Sequence, residues 1–568
     1  MRAKSQDRLL RFLPSFTELA FLMPIVFLFA RTTGGHYLLS DGDTGWHVRT
    51  GEWMLQSGGV PVKDIFSFTK PGEPWFAWEW GWDLAFGWLH QHGGMAAVLL
   101  ASLLVLCTTF ALLYRLVRRN CPNVLVAFGV TVLAIAGSAM HWLARPHLFT
   151  LLFVVVFLSI LERARGGRTR LLLWLPALMV LWTNLHGGFF VGVFLVGCYA
   201  AGELALWLVE KDRVAAGAAL TRSKPYVATV AACAAATLVN PYFYRLHLHI
   251  WNFLNTPALF QHIIEFKPPD FQSPLAFWFE PMVLLGALAI AWSVFQRHFA
   301  HALLVAVWVH LALLSARNMP IYLIAAAPVV AGMLHAALTR LAGASLAGWL
   351  STRVRRFVEF SDEFAVTDRA GRVYLTSVLV FAAVSAGFYL PAPPPKFRAE
   401  YDPKRYPAKA VELLRGPEFA RSIFTPDDWG DYLVYRLHPQ TKVFVDGRSD
   451  FYGAQFNGKY MDLINAKHGW EDTLRKYGVD TVLMPVDAPL TGVLKECSRW
   501  RPIYDDGVAM VFRSEAALAR DRTAGGPQAS ARRADEAGGR IQSDREITNF
   551  KQPRDPRITN SNTRSGST

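Results

Sequence analysis

The residues best equipped for chemistry fall in short clusters. Asp41-Gly-Asp43-Thr-Gly-Trp46-His47-Val-Arg49 is the acidic one; the others are Arg145-Pro-His147, Thr183-Asn184-Leu-His186, Asn240-Pro-Tyr242 and Arg317-Asn318-Met-Pro320. Asp41 and Asp43 alternate with a glycine, so in extended backbone both carboxylates point the same way. Such a pair can hold a divalent cation, Mg or Mn, or one member can serve as a general base whose pKa its neighbour raises. Arg145 and Arg317 supply fixed positive charge, and guanidinium binds phosphate oxygens in bidentate fashion. His47, His147 and His186 can donate hydrogen bonds to a departing phosphate, with Asn184 and Asn318 as neutral donors beside them. Glu265, in His262-Ile-Ile-Glu265-Phe, is a further acid. Each cluster also has an ordinary reading: a solvated turn for the aspartates, snorkelling for the arginines, a helix stop for Asn240-Pro, an exposed loop carboxylate for Glu265.

The elements that must position these clusters are apolar. A bilayer core takes about 20 apolar residues per helix. Eleven stretches qualify as spans, near 17–33, 95–114, 123–141, 147–161, 171–184, 188–209, 225–239, 281–296, 300–316, 319–339 and 373–390. Arginine and lysine gather in alternate loops (Arg115, Arg118 and Arg119; Arg163 to Arg170; Lys211 to Lys224; Arg297; Arg353 to Arg356). That bias places the N-terminus in the cytoplasm and the polar clusters on the opposite face. The expected organisation is a cytoplasmic N-terminus over 1–16 and an all-α polytopic membrane domain over 17–390 with outer loops 34–94 and 240–280. A small α/β periplasmic domain over 395–515 and a disordered basic tail over 516–568 complete it. In the α/β domain, strands are expected at Lys442–Val445, Asp480–Met484 and Val508–Phe512. The first loop is rich in tryptophan (Trp46, Trp53, Trp75, Trp78, Trp80, Trp82, Trp88), expected mostly at the membrane interface. A short helix near Asp83–His90 would lie on the outer leaflet.

Composition narrows the function. Hydrophobic residues make up 52% of the 568 and charged ones only 18%. The net charge of +14 is spread over short loops, not gathered into a groove with interleaved aromatics, so no nucleic-acid partner is expected. The five cysteines have no metal-ligand spacing, and the chain lacks a phosphate-binding G-x-x-x-x-G-K-[ST] loop.

Many spans, an acidic motif in the first outer loop, an amphipathic stretch behind it and a trailing soluble domain together resemble the GT-C superfamily. These are integral-membrane glycosyltransferases that use polyprenyl-phosphate sugars; the likeness is to bacterial mannosyltransferase-like and aminoarabinose-transferase-like members. It implies Asp41 or Asp43 as catalytic acid or metal ligand, a lipid-linked donor, and a glycan, lipid or protein acceptor at the periplasmic face of the inner membrane. A second D-x-D is lacking. Asp427-Asp428-Trp429-Gly-Asp431-Tyr432 only loosely resembles the W-W-D-Y-G signature of oligosaccharyltransferases, and Asp446-Gly-Arg448-Ser-Asp450 reads as a turn. The competing classes are a transporter or flippase for a lipid-linked or anionic solute, which would want ionisable residues deep in the spans and related halves, and a non-catalytic envelope assembly protein, which would tolerate loss of both aspartates.

Overall fold

A computed structural model describes residues 13–524 apart from 261–262, 275, 344–347, 371–373, 417–418 and 420–421. A helix stands over each of the eleven apolar stretches. They are α1 (Phe16–Val26, continued by a π turn to Arg31), α3 (Trp80–Asn120), α4 (Val124–Ser138), α5 (His147–Arg165) and α6 (Leu175–Leu185). There follow α7 (Phe190–Val209), α8 (Arg213–Ala236), α9 (Ala276–Phe295), α10 (Phe299–Leu314), α11 (Met319–Gly343) and α13 (Leu375–Phe388). Between them lie α2 (Asp43–Ser57) and α12 (Gly348–Ala370). Six helices among the described residues are long and apolar enough to cross a membrane, and three shorter ones are apolar.

Local chemistry sets the ends of these helices. Ser15 and Glu18 form a reciprocal capping box at the start of α1. Gly58, at φ 73°, closes α2 in the left-handed region. Gly94, at φ 65°, kinks α3, so residues 80–93 leave the direction of the apolar run that follows. Asp212 caps α8 through the N–H groups of Val214 and Ala215. Arg213, Arg222 and Lys224 therefore lie on a helix, and so do Arg353, Arg355 and Arg356 on α12, where loops were expected. The expected helix at Asp83–His90 is present as the segment of α3 before the Gly94 kink, with Trp82, Asp83 and Phe86 buried on it.

The C-terminal region folds around a sheet of β1 (Ile423–Phe424), β2 (Thr481–Pro485), β3 (Trp500–Asp505) and β4 (Ala509–Ser514), in the order β1-β2-β4-β3. β1 runs parallel to β2, and the other pairings are antiparallel. The expected strand at Lys442–Val445 is reduced to isolated bridges. Val443 pairs with Ile423 on one side and with Ser67 of the first loop on the other, so that loop extends the edge of the sheet. α14 (Asp427–Leu437) follows β1 and packs against α2. Residues 515–524, partly assigned to a disordered tail, form a helix; Arg532, Arg533 and Arg540 lie outside the described residues.

Candidate active site

The acidic motif is a helix start rather than an extended strand. Asp41 Oδ1 accepts the Asp43 N–H at 2.9 Å, and α2 begins at Asp43. The two carboxylates nevertheless converge on one cation. Arg145 Nη1 donates to Asp41 Oδ2 at 3.0 Å, and Nη2 contacts Asp43 Oδ2. Two backbone-anchored bonds hold Arg145 there: Ala144 N–H donates to the Leu38 carbonyl at 2.8 Å, and Thr44 Oγ1 donates to the Ala144 carbonyl at 3.1 Å. Burial works against the charge of Arg145, but Asp41, Asp43, Glu265 and Glu79 together keep it firmly protonated. Burial pushes the Asp43 carboxyl up to about 7; Arg145 opposes this and the charge of Asp41 adds to it.

α14 forms the opposite wall of this site. Asp428 Oδ1 accepts the Gly42 N–H at 2.7 Å and the Tyr406 hydroxyl at 2.8 Å, and Tyr401 donates to the Gly42 carbonyl at 3.0 Å. Asp431 Oδ1 accepts the Gly447 N–H at 2.8 Å. Gly447 is packed so tightly that a Cβ on it would sit 2.2 Å from Asp43 Oδ1 and 2.8 Å from Asp431 Oδ2. Burial raises the Asp431 carboxyl well above the usual range, and the nearby charges of Asp43 and Asp446 raise it further.

A second acidic group faces Arg145 from the other side. Arg317 Nη1 donates to Glu265 Oε1 at 3.2 Å, and its guanidinium lies 5.1 Å from the Phe266 ring centre. Burial alone would raise Glu265, but Arg317 and Arg145 hold it down at about 2. His141 Nδ1 lies 3.8 Å from Glu265 Oε2, and its buried Nε2 has no partner. His147 donates to the His141 carbonyl at 2.6 Å.

His186 Nδ1 accepts from Thr150 at 2.7 Å and from the Gly188 N–H at 3.0 Å. Thr150 itself accepts the Trp182 indole N–H, so its hydroxyl must donate to His186. That fixes the His186 proton on Nε2, 3.4 Å from Glu79 Oε1. The other oxygen of Glu79 lies 3.4 Å from His47 Nε2, and His47 Nδ1 is 2.6 Å from Asp83 Oδ1. Burial lowers His47 and His186 well below the ordinary histidine range; Arg145 adds to this at His47, and Arg317 and Arg145 do so at His186. His47 and Asp83 are hydrogen-bonded, while Glu79 stands between the two imidazoles without a hydrogen bond to either. Burial pushes Glu79 up to about 7 against the pull of Arg145 and Arg317.

The structure thus joins Asp41, Asp43 and Arg145 directly, and links Glu265, Arg317, His147, His186 and His47 to them through shared partners. Asn184 and Asn318 stand apart from this network in their contacts. Asn184 Nδ2 donates to the Val180 and Val239 carbonyls while Oδ1 accepts the Trp80 indole N–H; Asn318 Nδ2 donates to the Leu311 carbonyl. Both brace helix ends. Sequence reasoning missed Glu79, Asp83 and His141, and it noted the motif of Asp428 and Asp431 without placing either in the site. It also set most loop tryptophans at the membrane interface, yet Trp46, Trp75 and Trp82 are buried, while Trp88 is half exposed. Their rings pack the base of α2 and α3, where Trp46 also donates to Asp43 at 3.2 Å.

The donor set does not fit the divalent cation expected at Asp41 and Asp43. The guanidinium of Arg145 already lies between the two carboxylates. Among the described residues no group of three or more His, Cys, Asp or Glu is placed to hold a metal ion.

No protein-family model and no curated protein sequence matches the chain. Its fold does match solved structures of the oligosaccharyltransferase AglB from Archaeoglobus fulgidus. The form tethered to an acceptor peptide containing the NVT sequon aligns with a TM-score of 0.54 at 12% identity, covering 83% of this chain and 69% of that one. The form with an inhibitory peptide and a dolichol-phosphate gives 0.51 at 11% identity over the same shares. The form with zinc and sulfate gives 0.50 at 12% identity, covering 83% and 68%. The chain therefore shares the fold of those structures.

Proposed function

We propose that this protein is a membrane glycosyltransferase that moves a sugar from a polyprenyl-phosphate donor to an acceptor at the periplasmic face. Arginine in alternate segments supports a cytoplasmic N-terminus and a periplasmic C-terminal domain in a bacterial inner membrane. The observation that carries the reading is the Asp41–Arg145–Asp43 bridge lying under α14 on a GT-C fold. One aspartate with a pKa of about 7, beside a fixed cation, is poised to take a proton at neutral pH.

In the proposed reaction the acceptor oxygen or nitrogen attacks the anomeric carbon, and its proton passes to Asp43. The bond from that carbon to the donor phosphate breaks, and the electron pair leaves on the phosphate. Arg317, the more exposed of the two arginines, and the unpartnered N–H capacity of His141 receive the departing charge. Arg145 keeps the aspartates aligned and supplies the countercharge between them, so no step here passes through a metal ion. Neighbouring folds were solved with an acceptor peptide and with a dolichol-phosphate, which supports a lipid-linked donor; the acceptor is a glycan, a lipid or a protein.

The test is turnover by the full-length protein in nanodiscs, supplied with labelled polyprenyl-phosphate sugars. Release of polyprenyl phosphate with a glycosylated acceptor supports the assignment. Movement of the intact donor across vesicles without cleavage overturns it in favour of a flippase.

A further inference from the structure

The candidate active site gathers at the N-terminal ends of α3 and α5. The C-terminal ends of the same helices hold a second concavity, of about 700 Å³. His147 and Arg163 are sixteen residues apart on α5, which at 1.5 Å per residue separates the two places by about 24 Å. The far cavity is lined by Arg115, Arg118, Arg119 and Arg163, with apolar walls from Leu112 and Ile160.

Arginines at helix ends beside a membrane are ordinary; convergence sets these apart, and among the described residues only Arg118 is engaged, with the Cys121 and Pro122 carbonyls. Among the described residues, no carboxylate lies within ion-pair distance of Arg115, Arg119 or Arg163. Arg163 Nε is buried with no hydrogen-bond partner. The Tyr114 hydroxyl, on a residue 1% exposed, has Arg118 beside it and can still donate its proton. The one carboxylate in the lining, Asp368, accepts the Phe16 N–H at 2.8 Å. Four guanidinium groups against one engaged carboxylate leave a strong positive excess in a recess, which favours a compact anion. The apolar walls continue onto helices that face lipid, as in basic pockets that seat anionic head groups between spans.

We propose that this cavity is a binding site for a phosphate head group, with Arg119 and Arg163 as its main ligands and the Tyr114 hydroxyl as a further donor. The phosphate has two possible sources, an anionic membrane lipid or a soluble phosphate compound.

The test uses full-length protein and the variant Arg119→Gln/Arg163→Gln, with Arg119→Lys/Arg163→Lys as the charge-preserving control. Both variants leave the candidate active site untouched, so monodisperse purification and unchanged donor turnover, where turnover is found, report intact folding. In one arm, nanodiscs of zwitterionic lipid are titrated with phosphatidylglycerol and bound lipid is counted by native mass spectrometry. In the other, detergent-purified protein is titrated with inorganic phosphate and followed by thermal shift. The inference expects at least tenfold weaker binding in the Gln variant and partial recovery in the Lys variant, in the lipid arm for a lipid source and in the phosphate arm for a soluble one. Equal binding by wild type and the Gln variant in both arms, or no binding in either, overturns it.

Discussion

Asp428 accepts the backbone N–H of Gly42 at 2.7 Å, joining residues 386 apart in the chain. The hydrogen bond places the first long helix of the C-terminal region directly on the acidic turn. The candidate site is therefore shared between the membrane helices and the domain that follows them.

The tightest expression of that sharing is Gly447. A methyl group there would sit 2.2 Å from Asp43 Oδ1, too close for either to remain in place. Gly447→Ala should cut donor turnover by about 100-fold or more, in line with loss of a positioned acid–base group. Expression and melting temperature should change little if the strain relaxes at the Asp43 side chain. Near-normal turnover would mean that Asp43 need not hold this position.

Burial pushes both Asp43 and Glu79 to about 7, so a pH profile taken with a Glu79 variant separates them. A general base must be ionised, so kcat/KM should fall as pH drops below about 7 and level off above it. An ordinary aspartate, with a pKa near ~3.9, would keep the rate flat to about pH 5. Folding runs the other way. A carboxyl raised in the folded state stabilises the fold at low pH and loses that contribution as pH rises through about 7. Glu79→Gln should leave the acidic limb of the rate profile in place; its disappearance would assign the titration to Glu79.

Arg448 holds the first loop to the C-terminal region from within. It donates to Asp446 at 2.6 Å and to Asp64 at 2.7 Å, with all three side chains almost fully buried, and lies 4.5 Å from the Trp75 ring centre. Removing one member of a buried charge cluster typically costs about 3–5 kcal/mol. Arg448→Met should therefore lower the melting temperature and speed protease cleavage of the first loop. Asp64→Asn, which leaves the Asp446 pair, should do less.

Arg145 between the two aspartates predicts independence from divalent metal. Treatment with EDTA should leave donor turnover unchanged, while Arg145→Gln should lower it by at least about 100-fold, since two carboxylates would lose their shared cation. Loss of activity on chelation, restored by Mg or Mn, would require the guanidinium to leave its place between them.

The sequence revealed the helices far more fully than the site. Apolar runs near twenty residues have few alternatives, so a helix lies on every expected span. Asp41, Asp43, Arg145 and Arg317 were visible because charge at the end of an apolar run is costly and hence conspicuous. Glu79 and Asp83 were hidden among tryptophans whose composition resembles an interfacial belt; only their burial reveals them, Glu79 between His47 and His186 and Asp83 against His47. Asp428 and Asp431 carried a weak motif signal, and nothing local announces that residues nearly four hundred positions away will meet Gly42. Arg448 read as a turn residue because a buried ion cluster is defined by its partners, and Asp64 is equally distant in sequence. Val443 lost its expected strand for the same reason: its neighbour, Ser67, comes from the first loop.

The most direct measurement is single-turnover cleavage of a labelled polyprenyl-phosphate sugar by Asp43→Asn, in nanodiscs and matched to wild type for melting temperature. Wild type should cleave the donor, and the variant should lose about 100-fold or more of that rate. Cleavage at the wild-type rate with asparagine at position 43 would contradict this expectation.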